Sequence, residues 1–339
     1  MKYYRSLIYI LLLCFLFTLT GCTKKDAAQT PGELKVCSSL GKEITELLVQ
    51  DFIKQSKVPL KPSISYVPSG STEERFSFIT QGGYDCWLGG TAEEYYYANE
   101  KGLLERYTAQ EAFKLPVELR NRRNIWTPLY FRHIALISNK NKLSSFGLYA
   151  PTTWDELLHH HLREEIAIPS YNLGGASFGM LTSNWQLRGK EQALKYAAAF
   201  NRQLPSFTKS TLEAADLVYT GKKTVAIVPL DYALELEEKH AHLFATIPND
   251  ANRNLISGIA LLKKAPNQKN ATNFIDYLLT DTSEKLLHNK GYKYLWHVKD
   301  YPNNNNRKAL IGHINIPYDD LAWTSTYKSE IIRQWNEAK

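Results

Sequence analysis

Apolar and polar positions along this chain fall into short strand-like runs, each followed by a helical stripe. Leu34-Lys-Val-Cys37 reads as a strand, and Ile44, Leu47, Leu48 and Phe52 then recur on one helix face. Ile64-Ser-Tyr-Val67 is a second strand, and the spacing of Ser71 and Glu74 is that of a capping box opening a helix. Tyr84-Asp-Cys-Trp-Leu88 is a third strand. It runs into Gly89-Gly90-Thr91, where Thr91 and Glu94 form another box and Gly102 closes the helix. Three such units in succession predict a parallel α/β sheet. Farther on, Ile125 to Ser138 is a long extended run, and Thr153 and Glu156 mark a helix start. Glu165-Ile-Ala-Ile-Pro169 is a strand that leads through Tyr171-Asn-Leu-Gly174-Gly175 into a helix. Phe207 to Ser210 is a strand-to-helix turn boxed by Ser210 and Glu213, and Thr224-Val-Ala-Ile-Val228 is a strand ending near Asp231. Ser257 to Leu262 is a second extended run. Helices are expected from Asn270 to Leu279 and from Ser283 to Asn289, and Ile331, Ile332 and Trp335 form the stripe of a last helix packed on the body. No internal repeat is present.

Ahead of this pattern lies a different one. Lys2 and Arg5 precede an almost unbroken apolar stretch from Leu7 to Leu19, too short to span a bilayer stably and shaped like an export signal. The ending, Leu19-Thr20-Gly21-Cys22, resembles the bacterial lipobox, which implies cleavage before Cys22 and acylation of its thiol. Residues 1–22 are then a signal. Residues 23–32, small and polar with a Pro-Gly end, form a flexible tether, and the remainder is held outside the cytoplasm on a lipid. An ordinary secretory signal with a chance cysteine is the alternative.

The 339 residues are comfortable for two domains, and 44% hydrophobic residues can build large cores. The formal charge of +7 is a mild excess with no long Lys/Arg block; Arg120-Asn-Arg122-Arg123 is the densest patch and reads as a solvated loop. Nucleic acid is therefore not an expected partner, whereas a mild positive field suits a small anion. Only Cys37 and Cys86 remain beyond the signal and Cys22, and there is no CxxC. They are either a disulfide, which an oxidising compartment permits, or two buried free thiols.

One device recurs: a strand ends, small hydroxyl or glycine residues follow, and a capped helix begins. It occurs at Ser38-Ser39, Ser69 to Thr72, Gly89 to Thr91, Gly174 to Ser177 and Thr208 to Ser210. Glycine lets backbone approach a ligand, and open N–H groups at a helix start attract negative charge. In open α/β sheets, ligands sit at the carboxyl ends of the strands. Each loop alone is accounted for by N-capping; their recurrence in both halves of the chain points to an anion site.

Enzyme signatures are thin: G-x-S-x-G, HExxH and GxxxxGK[ST] do not occur. No catalytic residue, metal ligand or cofactor is expected. His159-His160-His161 resembles a metal tract, but consecutive residues at the end of a helix splay apart, which favours a solvated face. Lys209 follows a strand as an anion partner or a charged turn residue. Arg132 and His133 lie in the long extended run, facing a cleft or the surface. Asp231 binds a ligand amine or hydroxyl, or caps the following helix.

Tyr84-Asp-Cys-Trp-Leu-Gly-Gly-Thr-Ala-Glu93, Lys101-Gly-Leu-Leu-Glu105, Thr152-Thr-Trp-Asp-Glu-Leu157, Ile166-Ala-Ile-Pro169, Thr208-Lys-Ser210 and Asn273-Phe-Ile-Asp-Tyr-Leu-Leu279 together resemble the substrate-binding proteins of bacterial ABC importers. The similarity is to the type 2 periplasmic-binding fold, in the branch that holds ferric-iron, thiamine, phosphonate and sugar-phosphate binders. The resemblance implies two α/β lobes joined by two crossover strands, near 125–138 and 245–262. Lobe 1 is 33–132 with 253–339, and lobe 2 is 133–252. It implies hinge closure on a ligand and delivery to a membrane permease, or presentation to a membrane histidine kinase, by a monomer. Carried over by position, Ser38, Ser39, Ser69, Gly70, Gly90 and Thr91 line the first lobe, and Gly174, Gly175, Lys209, Ser210 and Asp231 the second. Where the ferric binders carry adjacent tyrosines, this chain has Asp231-Tyr232, so the implied ligand is a small organic anion, phosphorylated or phosphonate, ahead of iron.

Overall fold

A computed structural model describes residues 32–56, 59–68, 72–115, 121, 123–253, 255–289, 296–297 and 321–339. The signal, the tether with Cys22, and the Ser69-Gly70 turn lie outside the described residues.

The chain begins with three strand–helix units: β1 (Gly32–Ser38), α1 (Lys42–Gln55), β2 (Leu60–Tyr66), α2 (Thr72–Gln81), β3 (Cys86–Thr91) and α3 (Ala92–Glu100). β4 (Leu104–Glu105) and β5 (Thr127–Arg132) follow. A second body is built from β6 (Ile134–Asn139), α4 (Lys140–Ser145), β7 (Ile166–Pro169), α5 (Gly175–Asn201), β8 (Ser206–Thr208), α6 (Thr211–Tyr219), β9 (Val225–Pro229), α7 (Leu230–Lys239) and β10 (Leu243–Thr246). The chain then returns through β11 (Leu255–Leu262), α8 (Gln268–Leu278), α9 (Asp281–Asn289), β12 (Trp296–His297), α10 (Leu321–Thr326) and α11 (Lys328–Glu337).

Among the described residues, the first sheet has seven strands in the order β12-β5-β11-β3-β1-β2, with β4 paired to β11, and the second has five in the order β10-β6-β9-β7-β8. β1 runs parallel to β2 and β3, and β7 parallel to β8 and β9, so each lobe turns a set of strand carboxyl ends the same way. The second sheet is covered on both faces. Ala135, Ile137, Ala226 and Val228 cluster with Ala214, Ala215 and Val218 of α6 and Ala233 of α7, while Ile134, Leu136, Val225 and Ile227 cluster with Trp154, Phe178 and Trp335 on the other side.

Among the described residues the lobes are joined at three places. β5 ends at Arg132 and β6 begins at Ile134, so His133 alone separates strands of different sheets. β10 ends at Thr246 and β11 begins at Leu255, the second crossing. The third is the end of the chain. α10 packs on α3 of the first lobe, where the Ser325 hydroxyl donates to the Glu93 carbonyl at 2.9 Å. α11 packs on α5 of the second. Residues 253–339 therefore do not all return to lobe 1. The reason is the stripe of Ile331, Ile332 and Trp335, which buries against Tyr171 and Tyr196 of lobe 2.

Two further expectations are decided here. Cys37 and Cys86 are free and buried. In the parallel register Val36 lies beside Cys86 and Cys37 beside Trp87, so the two side chains project to opposite faces and cannot bridge. The helix expected from Thr153 is two short 3₁₀ turns, Asp155–Leu158 and His160–Leu162, because His159 takes an extended ψ of 134° between them.

Candidate functional site

The aspartate of the Tyr84–Glu93 segment is structural. Asp85 is buried, accepts the Lys35 and Asn267 amides at 2.6 Å each, and ties β1 and the start of α8 to β3. Trp87 of the same segment acts at the strand ends: its Nε1 donates to Ser39 Oγ at 3.0 Å, while its ring packs on Phe76 and Tyr95. Arg75 of α2 reaches the same hydroxyl at 3.4 Å and pairs with Glu94 at 2.7 Å. Its Nε is buried with no partner among the described residues. A guanidinium, an indole N–H and a hydroxyl thus meet beyond the carboxyl ends of β1 and β3.

The hinge supplies a second polar group. Arg132 lies 3.5 Å from Asp231, across the lobe boundary, and 3.5 Å from Ser257 Oγ. Ser257 is in register with Thr91, which joins this group to the end of β3. Arg132 Nε and Asp231 Oδ1 are buried and make no hydrogen bond among the described residues. Burial raises the Asp231 carboxyl above its ordinary value, and the Arg132 charge pulls it back only in part.

The third group is the start of α5. Gly174 (φ 76°, ψ −149°) and Gly175 (φ 61°) both lie at positive φ, the former in a region that only glycine occupies readily. No side chain caps this helix. Lys328, the first residue of α11, donates to the Asn172 carbonyl at 3.1 Å, and a Cβ on Gly174 would lie 3.5 Å from its ammonium. Burial lowers the Lys328 pKa, against the pull of Glu94 and Glu93. Beside it, Arg253 pairs with Glu93 and donates to Thr182 at 3.0 Å. Burial pushes the Glu93 carboxyl up, but Arg253 and the bonds around it hold it below the usual value.

The sequence-derived residues sort into kinds. Ser39, Gly174, Gly175 and Asp231 stand within these groups. Ser38 is buried and its hydroxyl is taken by Thr45 at 2.8 Å and the Leu40 amide at 3.1 Å. Gly90 is a packing glycine: its N–H donates to Tyr95 at 2.9 Å, and a Cβ would come within 2.7 Å of Trp87 and 2.9 Å of Tyr95. The Thr91 amide donates to Glu94 at 2.8 Å, completing the capping box. Ser210 caps the Glu213 amide at 3.1 Å, and the Lys209 amide donates to Glu213 at 2.7 Å. The backbone at these loops is therefore satisfied from within, by the same glutamates that marked the helix starts. The Lys209 side chain is exposed; its strand lies beside β7, whose following Ser170 amide donates to Thr208 at 3.0 Å. Arg75, Glu93, Arg253 and Lys328 were missed from sequence. Only Arg75, four residues past Ser71, had a local signal, as a cation in the first turns of a loop-capped helix.

Two α/β lobes with strand ends and charged groups meeting at a hinge define a binding protein. The chain belongs to the bacterial extracellular solute-binding proteins, a family whose pattern matches residues 95–310. It is similar in structure to the periplasmic binding protein P5PA, with 26% identity, 91% of this chain and 100% of that chain covered, and a TM-score of 0.77. It is similar to the periplasmic binding protein AfuA of Actinobacillus pleuropneumoniae with fructose-6-phosphate bound, at 22% identity, 91% and 99% coverage and a TM-score of 0.77. Trichodesmium IdiA (FutA), in complex with iron and citrate, shares the fold at 19% identity, 91% and 100% coverage and a TM-score of 0.70. An uncharacterized protein of Haemophilus influenzae is 25% identical over 280 residues, 80% of each chain.

Proposed function

We propose that this protein captures a small organic anion, a phosphorylated or phosphonate compound, between its lobes and delivers it to the permease of an ABC importer, held at the membrane by a lipid on Cys22. The observation that carries the reading is the start of α5. Its N–H groups have no side-chain cap, two positive-φ glycines clear the approach, and the Lys328 ammonium stands beside it. The helix starts at Thr91 and Ser210 are closed by a hydroxyl and a glutamate of the same turn, whereas those at Gly41, Pro229 and Asn267, also without a side-chain cap, do not share the paired positive-φ glycines of α5. An open helix start with a neighbouring cation is the arrangement that favours a phosphate-like group. Arg75, Arg132 and Ser39, from the facing lobe and the hinge, stand ready for the remainder of the ligand. AfuA, with a sugar phosphate bound, supports the same class. Iron has weaker support, since the turn after β9 offers Asp231 and the single phenol of Tyr232, which packs partly on the core.

A thermal-shift panel tests this. Sugar phosphates, phosphonates, citrate and ferric citrate are compared at equal concentration. A rise of several degrees with one phosphate or phosphonate ester is the expected result. No shift with any phosphate or phosphonate ester, alongside a strong one with ferric citrate, overturns the proposal.

A further inference from the structure

The tract His159-His160-His161 was expected to splay its rings along a helix. In the structure the extended backbone at His159 (φ −61°, ψ 134°) breaks the helix, and a tight 3₁₀ turn begins at His160. The three rings are folded onto one another, with centroids 4.5 Å apart for 159 and 160, 4.1 Å for 160 and 161, and 5.2 Å for 159 and 161. One nitrogen from each lies within 4.8 Å of the others. From these observations we infer that His159, His160 and His161 form a surface site for a divalent transition cation of the zinc, nickel and copper class.

Imidazole nitrogen suits these ions, and a tetrahedral zinc with bonds of about 2.0–2.1 Å needs ligand nitrogens roughly 3.3 Å apart. His160 and His161 are exposed, so their rings have room to rotate toward a shared ion. His161 Nδ1 lies 3.2 Å from the Phe146 carbonyl. With Nδ1 as donor, that contact leaves Nε2 free to coordinate and fixes the ring, the usual support for a ligating histidine. His159 Nδ1 accepts the His161 amide at a long 3.3 Å, a weak contact to surrender. The tract precedes β7, at the amino end of the parallel strands of lobe 2 and therefore at the pole away from the α5 helix start. It is a second site, independent of the anion reading.

The test uses tag-free exported protein titrated with Zn²⁺ and Ni²⁺ by calorimetry, and loaded with Cu²⁺ for electron paramagnetic resonance. One equivalent is expected to bind, with imidazole nitrogen couplings in the Cu²⁺ spectrum. His160→Asn with His161→Asn is expected to weaken binding at least tenfold, with melting in EDTA unchanged. His160→Ala alone, the milder change, should weaken it less. Failure of the wild type to bind one equivalent, or an unchanged isotherm in the double variant, overturns the site.

Discussion

At Asp231, burial raises the carboxyl pKa and Arg132 opposes the rise, so the group holds its proton more tightly folded than unfolded. Its contribution to stability is therefore complete below about pH 4, the value for an unfolded aspartate, and is lost as pH rises through the higher folded value. Asp231→Asn removes that dependence. The melting temperature of the variant is expected to fall less steeply than that of the wild type from pH 4 upward, and parallel curves would count against the assignment. Arg132 was legible only as one of two choices, cleft or surface, because an extended run does not say which face meets a hinge. Lys328 was not legible at all. Its partners, Asn172 on one lobe and Glu93 and Glu94 on the other, are more than a hundred residues away in sequence, and no local pattern encodes that meeting.

At the level of elements, the strand–loop–helix units were legible because each carries its own periodicity and several carry a hydroxyl cap. Thr91 with Glu94 forms the full box as the spacing predicts, while Ser210 caps the Glu213 amide and the Glu213 carboxylate takes the Lys209 amide instead of that of Ser210. Sequence records that a helix start is capped but not which atom takes each N–H group; at Thr91 and Ser210 these are the hydroxyl and the nearby glutamate. The histidine tract is solvated as expected but is not on a helix: Thr153 and Glu156 do make their reciprocal bonds, at 3.3 Å and 3.2 Å, yet the turn they open stops at His159. The last helix was read correctly as packed on the body, but its stripe could not say on which lobe. α11 belongs to lobe 2 through Trp335, fully buried against Tyr171 and Tyr196. Trp335→Ala is expected to cost about 3–5 kcal/mol, read as a lowered urea midpoint. A loss below about 1 kcal/mol would show that α11 contributes little to the second lobe.

At the scale of the whole molecule, two crossings were visible as long apolar runs, and the third, through α10 and α11, was not. Three links restrain the lobes more than two would, while still allowing rotation about His133 and the stretch between Thr246 and Leu255. The placement of the two buried thiols has a separate use. Cys37 and Cys86 sit on opposite faces of β1 and β3 in the first lobe, and burial raises the pKa of both. A thiol held protonated and out of solvent does not alkylate. The exported chain therefore carries a built-in clock for one half of itself. A maleimide should leave Cys37 and Cys86 of the folded protein unmodified and add to both, at the rate at which the first lobe opens, in denaturant. Reducing agent should leave the melting temperature where it is, because the fold owes nothing to the redox state of its surroundings.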